Sequence, residues 1–207
     1  MISIVNYGLG NILAFQNIYK KLNIECKVVS TKEELKGSEH IILPGVGSFD
    51  WAMTKLNDSG MRDTLDTLVI EKKVPVIGIC VGMQIMANKS EEGSMNGLGW
   101  LDADIKKFDT TKGNKKIQLP HMGWNDIKCC KKNNLFNGLE SDAKFYFLHS
   151  YYFQESSLNQ VLTETNYGEC FTSCAHKENI FAVQFHPEKS HQWGERLLKN
   201  FSEIKNA

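Results

Sequence analysis

Cys80 has the setting that a nucleophilic side chain needs. Residues 74–79 form a short apolar run that predicts a buried strand, and a helix is predicted from Val81 onward, so the cysteine lies at a strand-to-helix junction. A sharp turn there lifts the side chain out of the sheet, and Gly78 and Gly82 leave room for it. The unpaired N–H groups of a helix start favour the reactive thiolate over the thiol. The pattern predicts a nucleophilic cysteine, with the N–H of Val81 donating to an oxyanion; an inert cysteine at a well-packed strand end is the alternative.

His186 and Glu188 form a second chemical group near the end of the chain. They follow the apolar run 180–185 and are separated by Pro187. Because residues i and i+2 of an extended chain point to the same side, the two side chains can face one way. A carboxylate beside an imidazole fixes its tautomer and stabilises the imidazolium, which lets the other ring nitrogen accept a thiol proton. With Cys80 they predict a Cys-His-Glu triad, although a surface histidine after a strand is the alternative for His186 alone.

A third segment, which contains a proline and two glycines, has backbone N–H groups that could take part in catalysis. Pro44, Gly45, Val46 and Gly47 follow a predicted strand at 40–43. Glycines on both sides of Val46 allow backbone geometries that other residues resist, and they leave N–H groups open to an incoming oxygen atom. The segment is a candidate for the second half of an oxyanion hole, and a plain strand-to-helix turn is the alternative.

Two further patterns have the residue types of cofactor or metal sites. The turn that begins at Gly8 resembles a dinucleotide-binding turn, but Leu13 replaces its third glycine. Cys170, Cys174 and His176 have the residue types of a zinc site, but no second well-spaced pair accompanies them. We therefore expect neither a cofactor nor a metal.

The first half of the chain alternates between strands and helices. Strands are predicted at residues 1–6, 26–29, 40–43 and 74–79. Helices are predicted after the N-cap residue Asn11, from residue 31, over residues 49–72 with an interruption at 58–60, and over residues 81–88. This alternation is typical of a parallel, doubly wound sheet.

Short strands dominate the second half. They are predicted at residues 117–119, 124–128, 144–153, 161–165, 171–176 and 180–185, with turns rich in asparagine and glycine. We interpret them as a mixed or antiparallel extension of the same sheet. A last helix is predicted over residues 193–204, with apolar side chains at helical spacing. The predicted fold class is α/β, with a mostly parallel sheet and an antiparallel extension.

Composition limits the classes of partner. The chain has 207 residues, which suits a single α/β domain over residues 1–207. Lys plus Arg and Asp plus Glu are equal at 24 each, which argues against nucleic acid or an anionic membrane as partner. No apolar run approaches the roughly 20 residues that span a bilayer, and no basic segment precedes an apolar one at the N-terminus. We expect a cytoplasmic protein with free thiols whose partner is a small molecule or a protein.

The separated motifs resemble those of the class I (triad) glutamine amidotransferases. Within that class they are most similar to the HisH family, the glutaminase subunits of imidazole glycerol phosphate synthases. The matching segments are Gly78-x-Cys80-x-Gly82-x-Gln84, Pro44 to Gly47, Tyr7-Gly8-x-Gly10-Asn11, residues 119–125, residues 146–151 and His186 to Ser190. The resemblance implies a flavodoxin-like fold, L-glutamine as substrate, and a heterodimer with a (β/α)₈-barrel synthase subunit that receives ammonia.

The resemblance also implies a role for each matching residue. Cys80 is the nucleophile, His186 the general acid and base, and Glu188 the carboxylate that orients it. The backbone N–H groups of Val81, Val46 and Gly47 hold the oxyanion. Residues that hold glutamine are Gly45, Gln84, Ser150 and Tyr151, and residues at the interface with the synthase are Asn11, Trp124, Asn125 and Lys189.

One departure from the family pattern leaves the acceptor of ammonia open. Residues 190–193 differ from the small residues expected at this position in the histidine-pathway members. A HisH-like paralogue that supplies ammonia to a sugar amidotransferase for a cell-surface glycan is therefore one alternative. A γ-glutamyl cysteine hydrolase would keep Cys80 and His186 without needing Asn11 or Trp124. A non-catalytic binding subunit is the third alternative, and the intact triad argues against it.

Overall fold

The computed structural model describes residues 1–111, 117–156 and 158–205. The strands in these ranges are β1 (Ile2–Val5), β2 (Cys26–Val29), β3 (His40–Gly45), β4 (Val76–Cys80), β5 (Lys89–Ser90), β6 (Ala103–Lys107), β7 (His121–Asp126), β8 (Lys128–Cys129), β9 (Lys144–His149), β10 (Tyr151–Glu155), β11 (Val161–Tyr167), β12 (Glu169–Lys177) and β13 (Ile180–Val183). The α-helices are α1 (Ile12–Lys21), α2 (Lys32–Leu35), α3 (Phe49–Asp58), α4 (Arg62–Asp66), α5 (Val81–Gln84) and α6 (His191–Ser202). The remaining helical segments are a π-helical turn at Thr67–Glu71 and 3-10 turns at Asn134–Phe136, Leu158–Gln160 and Pro187–Lys189.

The central sheet has a parallel half and an antiparallel half. Its strand order is β2-β1-β3-β4-β13-β12-β10-β6-β5, with β11 paired to β12 and to β8. The neighbours from β2 to β13 are parallel, whereas β12 pairs antiparallel with β13, β10 and β11. The order 2-1-3-4 is that of flavodoxin-like sheets. The predicted fold class, a mostly parallel sheet with an antiparallel extension, is confirmed.

The parallel half forms because its strands are largely apolar and its first two helices begin at capping side chains. All four residues of β1 are buried. The Asn11 side chain caps α1 by accepting from the N–H of Ala14, and α1 buries Phe15 and Tyr19. The Tyr19 hydroxyl donates to the Leu198 carbonyl in α6 at 3.2 Å, so the first and last helices pack together. The predicted interruption at residues 58–60 is also confirmed, since α3 ends at Asp58.

The second half differs from its prediction in the way its strands pair. β7 and β9 form a separate two-stranded antiparallel sheet and do not extend the central one. Residues 117–119 are not a strand, and the predicted strand at 144–153 is interrupted at Ser150. The small sheet is held instead by aromatic packing, because Phe145 stacks on Phe185 with ring centroids 4.0 Å apart. Pairing between distant strands is decided by such contacts, which a local pattern does not contain.

The predicted helix after Cys80 is a single turn, α5. Residues 85–88 leave the helix because their carbonyl groups accept from the loop at 97–101. The N–H of Leu98 donates to Ile85 at 2.7 Å, and that of Trp100 donates to Met86 at 2.9 Å. The last helix begins at His191, two residues earlier than predicted. No helix within the described residues is long and apolar enough to cross a membrane.

The fold brings three strand ends together. β4 lies between β3 and β13, and Gly45 at the end of β3 pairs with Cys80 at the end of β4. In parallel strands the carboxyl ends share one edge, where α/β proteins bind their ligands. The buried apolar side chains of both halves form one continuous cluster beneath this edge.

Candidate active site

Cys80 has a backbone conformation that few residues other than glycine adopt. Its φ is +55° and its ψ is −111°. A side chain in this region costs about 1–3 kcal/mol and persists only where the surrounding structure holds it. Here β3 and β13 hold β4 from both sides, and α5 follows at once. The sharp turn predicted from the sequence is present, and it places the thiol in a pocket above the sheet.

Three glycines let the turn pass close to the neighbouring strand. A Cβ atom on Gly82 would lie 2.0 Å from the Leu43 carbonyl oxygen, and one on Gly45 would lie 2.3 Å from the Gly82 nitrogen. A Cβ atom on Gly78 would lie 2.7 Å from the Gly82 carbonyl oxygen. In each case the added Cβ atom would meet a backbone atom, so no side-chain movement could relieve the contact. Gly45 therefore lies against the turn that carries Cys80, and it does not line the pocket.

His186 and Glu188 are joined by a hydrogen bond at the end of β13. The His186 Nδ1 atom lies 2.8 Å from Glu188 Oε1, and both side chains are buried. Pro187–Lys189 forms a 3-10 turn, so the two side chains meet through that turn and not through an extended strand. The backbone N–H of His186 donates to the Tyr146 carbonyl at 2.8 Å, and the Ser190 hydroxyl donates to the His186 carbonyl at 2.6 Å. These two bonds hold the backbone of His186, and the contact with Glu188 orients its imidazole.

The charge on His186 depends on Cys80 and Glu188. Burial works against a charged imidazole, but the hydrogen bonds with Cys80 and Glu188, and the negative charges of both groups, outweigh it. The result is that the pKa of His186 is raised to about 10. The ring is therefore an imidazolium at neutral pH. This is the charge state expected of a general acid beside a cysteine nucleophile.

Gln184 is a neighbour of the sulfur that the sequence analysis missed. Its Nε2 atom lies 3.8 Å from Cys80 Sγ, and its side chain is completely buried. The Leu148 carbonyl oxygen lies 3.8 Å from the sulfur on another side. Gln184 precedes His186 by two residues, so the alternation of side chains along a strand could have indicated that both face the cysteine.

A pocket of about 290 Å³ opens above Cys80. This volume is near the lower end of the range for small-molecule sites. Its lining includes many of the residues predicted to act on glutamine, namely Val46, Gly47, Cys80, Val81, Gln84, Ser150, Tyr151 and His186. Glu188 lies behind His186 and does not line it.

The residues predicted to hold glutamine differ in their surroundings. Gln84 is buried, and its Nε2 atom donates to the Tyr151 carbonyl at 3.2 Å and to Gln184 Oε1 at 3.0 Å. Ser150 and Tyr151 are partly exposed at the pocket wall. Val46 and Gly47 are exposed at the rim, and Gly47 has a φ of +94° that favours glycine.

The comparisons with known proteins agree with this geometry. The family model described as "Glutamine amidotransferase class-I" matches residues 3–204. The chain belongs to the class-I glutamine amidotransferase family. It is similar to the protein named imidazole glycerol phosphate synthase subunit HisH from Bdellovibrio bacteriovorus, with 54% identity over 99% of this chain and 100% of that protein. The protein of the same name from Leptospira borgpetersenii is 49% identical with the same coverage. A solved structure described as a glutamine amidotransferase shares the fold, with a TM-score of 0.75, 22% identity, and coverage of 98% of this chain and 97% of that one.

The residues of this amidotransferase that were predicted to meet a synthase lie on or near the surface. Asn11 caps α1 and is exposed. Trp124 is 46% exposed and stacks on His191, with ring centroids 5.3 Å apart. Lys189 places its ammonium group 5.6 Å from the centre of the Tyr146 ring and also lines the pocket.

Glu92 is a pocket residue of the amidotransferase that the sequence analysis also missed. Its Oε2 atom accepts from the N–H of Phe49 at 2.8 Å, the first residue of α3. Ser48, the residue at the N-cap position, makes no side-chain capping bond, so Glu92 supplies that contact from a distant loop. A capping contact across 43 residues has no local sequence signal.

Two buried histidines should make the free energy of unfolding of the amidotransferase depend on pH in the acidic range. Burial lowers the pKa of His149 to about 3 and that of His121 to about 4. In the unfolded chain the pKa of both is about 6.5. As the pH falls from about 6.5 towards 4, the unfolded chain binds protons that the folded chain does not, so the free energy of unfolding falls. For a fully buried group such as His149 the slope approaches about 1.4 kcal/mol per pH unit.

His186 should have the opposite effect on the alkaline side. Its pKa is raised by folding, so its contribution is fully present below about pH 6.5 and is lost as the pH rises through about 10. Denaturant unfolding between pH 4.5 and pH 9.5 should show maximal stability near pH 6.5. His121→Gln should weaken the dependence of the free energy of unfolding on pH below about pH 6.5, and His186→Gln should weaken it above that pH. Equal slopes below about pH 6.5 in wild type and His121→Gln would contradict the assignment.

Proposed function

We propose that this chain is the glutaminase subunit of imidazole glycerol phosphate synthase in histidine biosynthesis. It would hydrolyse L-glutamine to L-glutamate and pass the ammonia to a (β/α)₈-barrel cyclase subunit. The observation that carries the chemistry is that Cys80 and His186 line one pocket, with Glu188 behind His186 and 2.8 Å from its Nδ1 atom. The assignment to this synthase is supported by full-length relatives of that name at 54% and 49% identity.

The first half of the reaction uses Cys80 as nucleophile. Its sulfur attacks the side-chain amide carbon of glutamine, and the carbonyl oxygen becomes an oxyanion. The N–H of Val81, directly after the strained turn, is placed to donate to that oxygen, and we assign the second donor to Val46 or Gly47 at the rim. The His186 imidazolium then gives its proton to the departing nitrogen. Ammonia leaves, and a thioester to Cys80 remains.

The second half of the reaction releases glutamate. His186 is now neutral and removes a proton from a water molecule that attacks the thioester. Glu188 holds the Nδ1 proton through its 2.8 Å contact, so the other ring nitrogen always faces the reacting atoms. Glutamate leaves, the sulfur regains its negative charge, and His186 regains its proton.

A partner above the pocket has a physical purpose. Ammonia that escapes into water becomes ammonium, which is not a nucleophile, so it must travel within protein to its acceptor. Next to the pocket, Met122 is 65% exposed and Trp124 is 46% exposed on the same strand, β7. Large exposed apolar side chains of this kind are typical of protein interfaces. We therefore assign Asn11, Trp124, Asn125 and Lys189 to the synthase interface of a single-domain, cytoplasmic subunit.

The test is glutamate production by the purified chain, alone and with a cyclase subunit and its nucleotide ligand. We expect the liganded cyclase to raise the glutaminase rate by at least about tenfold, with Cys80→Ala as the blank. Stimulation only by a sugar-amidotransferase synthetase would contradict the pathway while keeping the chemistry. Faster hydrolysis of γ-glutamyl peptides than of glutamine, without stimulation by either partner, would contradict the amidotransferase role in favour of a hydrolase.

A further inference from the structure

Two buried histidines that the proposed mechanism does not use lie in contact beside the pocket. His121 Nδ1 lies 3.0 Å from His149 Nε2, and both side chains are less than a tenth exposed. The His121 ring is stacked between Phe147 and Tyr167, with centroid distances of 4.7 Å and 4.0 Å. Neither histidine is a surface residue, and both rings are held by their neighbours.

The partners of this pair determine where each proton is. The Asn125 side-chain nitrogen lies 3.2 Å from His121 Nε2, and because an amide NH₂ only donates, that ring nitrogen must accept. His121 therefore carries its proton on Nδ1 and donates to His149 Nε2. His149 in turn carries its proton on Nδ1, which donates to the Tyr151 carbonyl at 2.8 Å. In all three bonds the donor is therefore on the side of Asn125 and the acceptor on the side of Tyr151.

Both rings must be neutral for this arrangement to exist. Protonating His149 on Nε2 would turn two N–H groups towards each other across the 3.0 Å contact, and protonating His121 on Nε2 would turn an N–H group towards the Asn125 NH₂ group. Burial lowers the pKa of His121 to about 4 and that of His149 to about 3, so both are uncharged at neutral pH. The adjacent His121 and the charged His186 add to the shift of His149.

The same series of bonds continues to the nucleophile. The Tyr151 carbonyl also accepts from Gln84 Nε2 at 3.2 Å, and Gln84 Nε2 donates to Gln184 Oε1 at 3.0 Å. Gln184 Nε2 then lies 3.8 Å from Cys80 Sγ. The route starts at Asn125, a partly exposed residue of β7, and ends at the sulfur.

We propose that His121 and His149 are positioning residues that couple Asn125, on the synthase face, to the wall of the glutamine pocket and to Cys80. Each ring can hold its bonds in one tautomer and one orientation only, so a shift of Asn125 changes how Tyr151, Gln84 and Gln184 are held. The identity of the docking partner rests on the proposed function. The coupling between Asn125 and the pocket is a property of this chain alone.

A double-mutant cycle in the free chain tests the coupling. His121→Phe keeps the stacked ring and removes its hydrogen bonds, and Asn125→Ala removes the outer donor. We expect each to lower glutaminase kcat/KM by about tenfold, mainly through KM, and the double variant to be no worse than the worse single one. His121→Gln, which can both donate and accept, should recover most of the loss. His40→Phe is the matched control, because His40 is a half-buried histidine in edge-to-face contact with Phe201 and does not line the pocket. It should leave kcat/KM unchanged.

Nitrogen-15 NMR of the wild-type imidazole rings gives a second readout. We expect neutral rings with the proton on Nδ1 for both His121 and His149 at pH 7. A proton on Nε2 of His149, a charged ring, or strictly additive losses in the cycle would overturn the proposal. These measurements need no partner, so absence of stimulation by the cyclase would contradict the proposed function and leave the coupling to be judged in the free chain. Where the cyclase stimulates the wild type, His121→Phe should reduce that stimulation by about tenfold.

Discussion

Cys80→Ala should reduce glutaminase turnover by about 10⁴-fold or more, with little loss of folding stability. Without the sulfur no thioester can form, and the pocket has no second nucleophile at the strained corner of β4. His186→Gln should cost about as much, and the double variant should be no worse than either single one, because the residues act as a unit. Glu188→Gln should lose about 10²–10⁴-fold, since the amide no longer stabilises the imidazolium. Steady-state glutamate release, measured with each variant, checks these losses.

The other cysteines provide the control for loss of a thiol. Cys174→Ala removes a fully buried sulfur that does not line the pocket, and Cys130→Ala removes an exposed one. Both should retain turnover close to that of the wild type. A glutamine-like chloroketone should label the peptide that contains Cys80 and leave the peptide that contains Cys130 unmodified. Turnover of Cys80→Ala within tenfold of the wild type would refute the assignment of the nucleophile.

Gly82→Ala should destabilise the fold and abolish activity together. The added Cβ atom would lie 2.0 Å from the Leu43 carbonyl oxygen, which is backbone in the middle of the sheet and cannot rotate away. Relief requires α5 to move off β3, and that movement also displaces the N–H of Val81. We expect a loss of about 3 kcal/mol or more, equivalent to a fall in Tm of about 6–12 °C for a chain of this size. Thermal unfolding followed by circular dichroism measures the shift.

Gly37→Ala is the control that separates the steric clash at Gly82 from the general effect of replacing a glycine. A Cβ atom on Gly37 meets nothing within 4 Å, and its φ of +81° predicts only the strain of a left-handed alanine, about 1 kcal/mol. This variant should fold and remain active. If Gly82→Ala were as stable as Gly37→Ala, the close contact between α5 and β3 would not be a constraint on this fold.

The parallel half of the fold could be predicted from the sequence because its signals are local. Apolar β-branched runs alternate with capped amphipathic segments, as at Asn11 before α1, and each such signal lies within about ten residues. The order of strand and helix then leaves few topologies, because crossovers between parallel strands are right-handed. The position of Cys80 at the end of β4 followed from the same local signals.

The pairing of the later strands was not predictable in this way. The sequence of β7 and β9 alternates as any half-buried strand does, and nothing local states that the two pair with each other and not with the central sheet. The stacking of Phe145 on Phe185 decides it. Likewise the helix predicted after Cys80 stops after one turn, because a loop from residues 97–101 takes its carbonyl groups.

The sequence by itself therefore determined the residue types of the site, the turn that carries Cys80 and the family to which the chain belongs. Only the tertiary structure decided that β13 lies beside β4, and so that Gln184 and His186 face a sulfur about a hundred positions earlier in the chain. It also decided that His121 and His149 meet, since their contact depends on β7 pairing with β9. The physical reason is that backbone periodicity acts over a few residues, whereas strand pairing and aromatic packing are settled by which distant surfaces bury each other best.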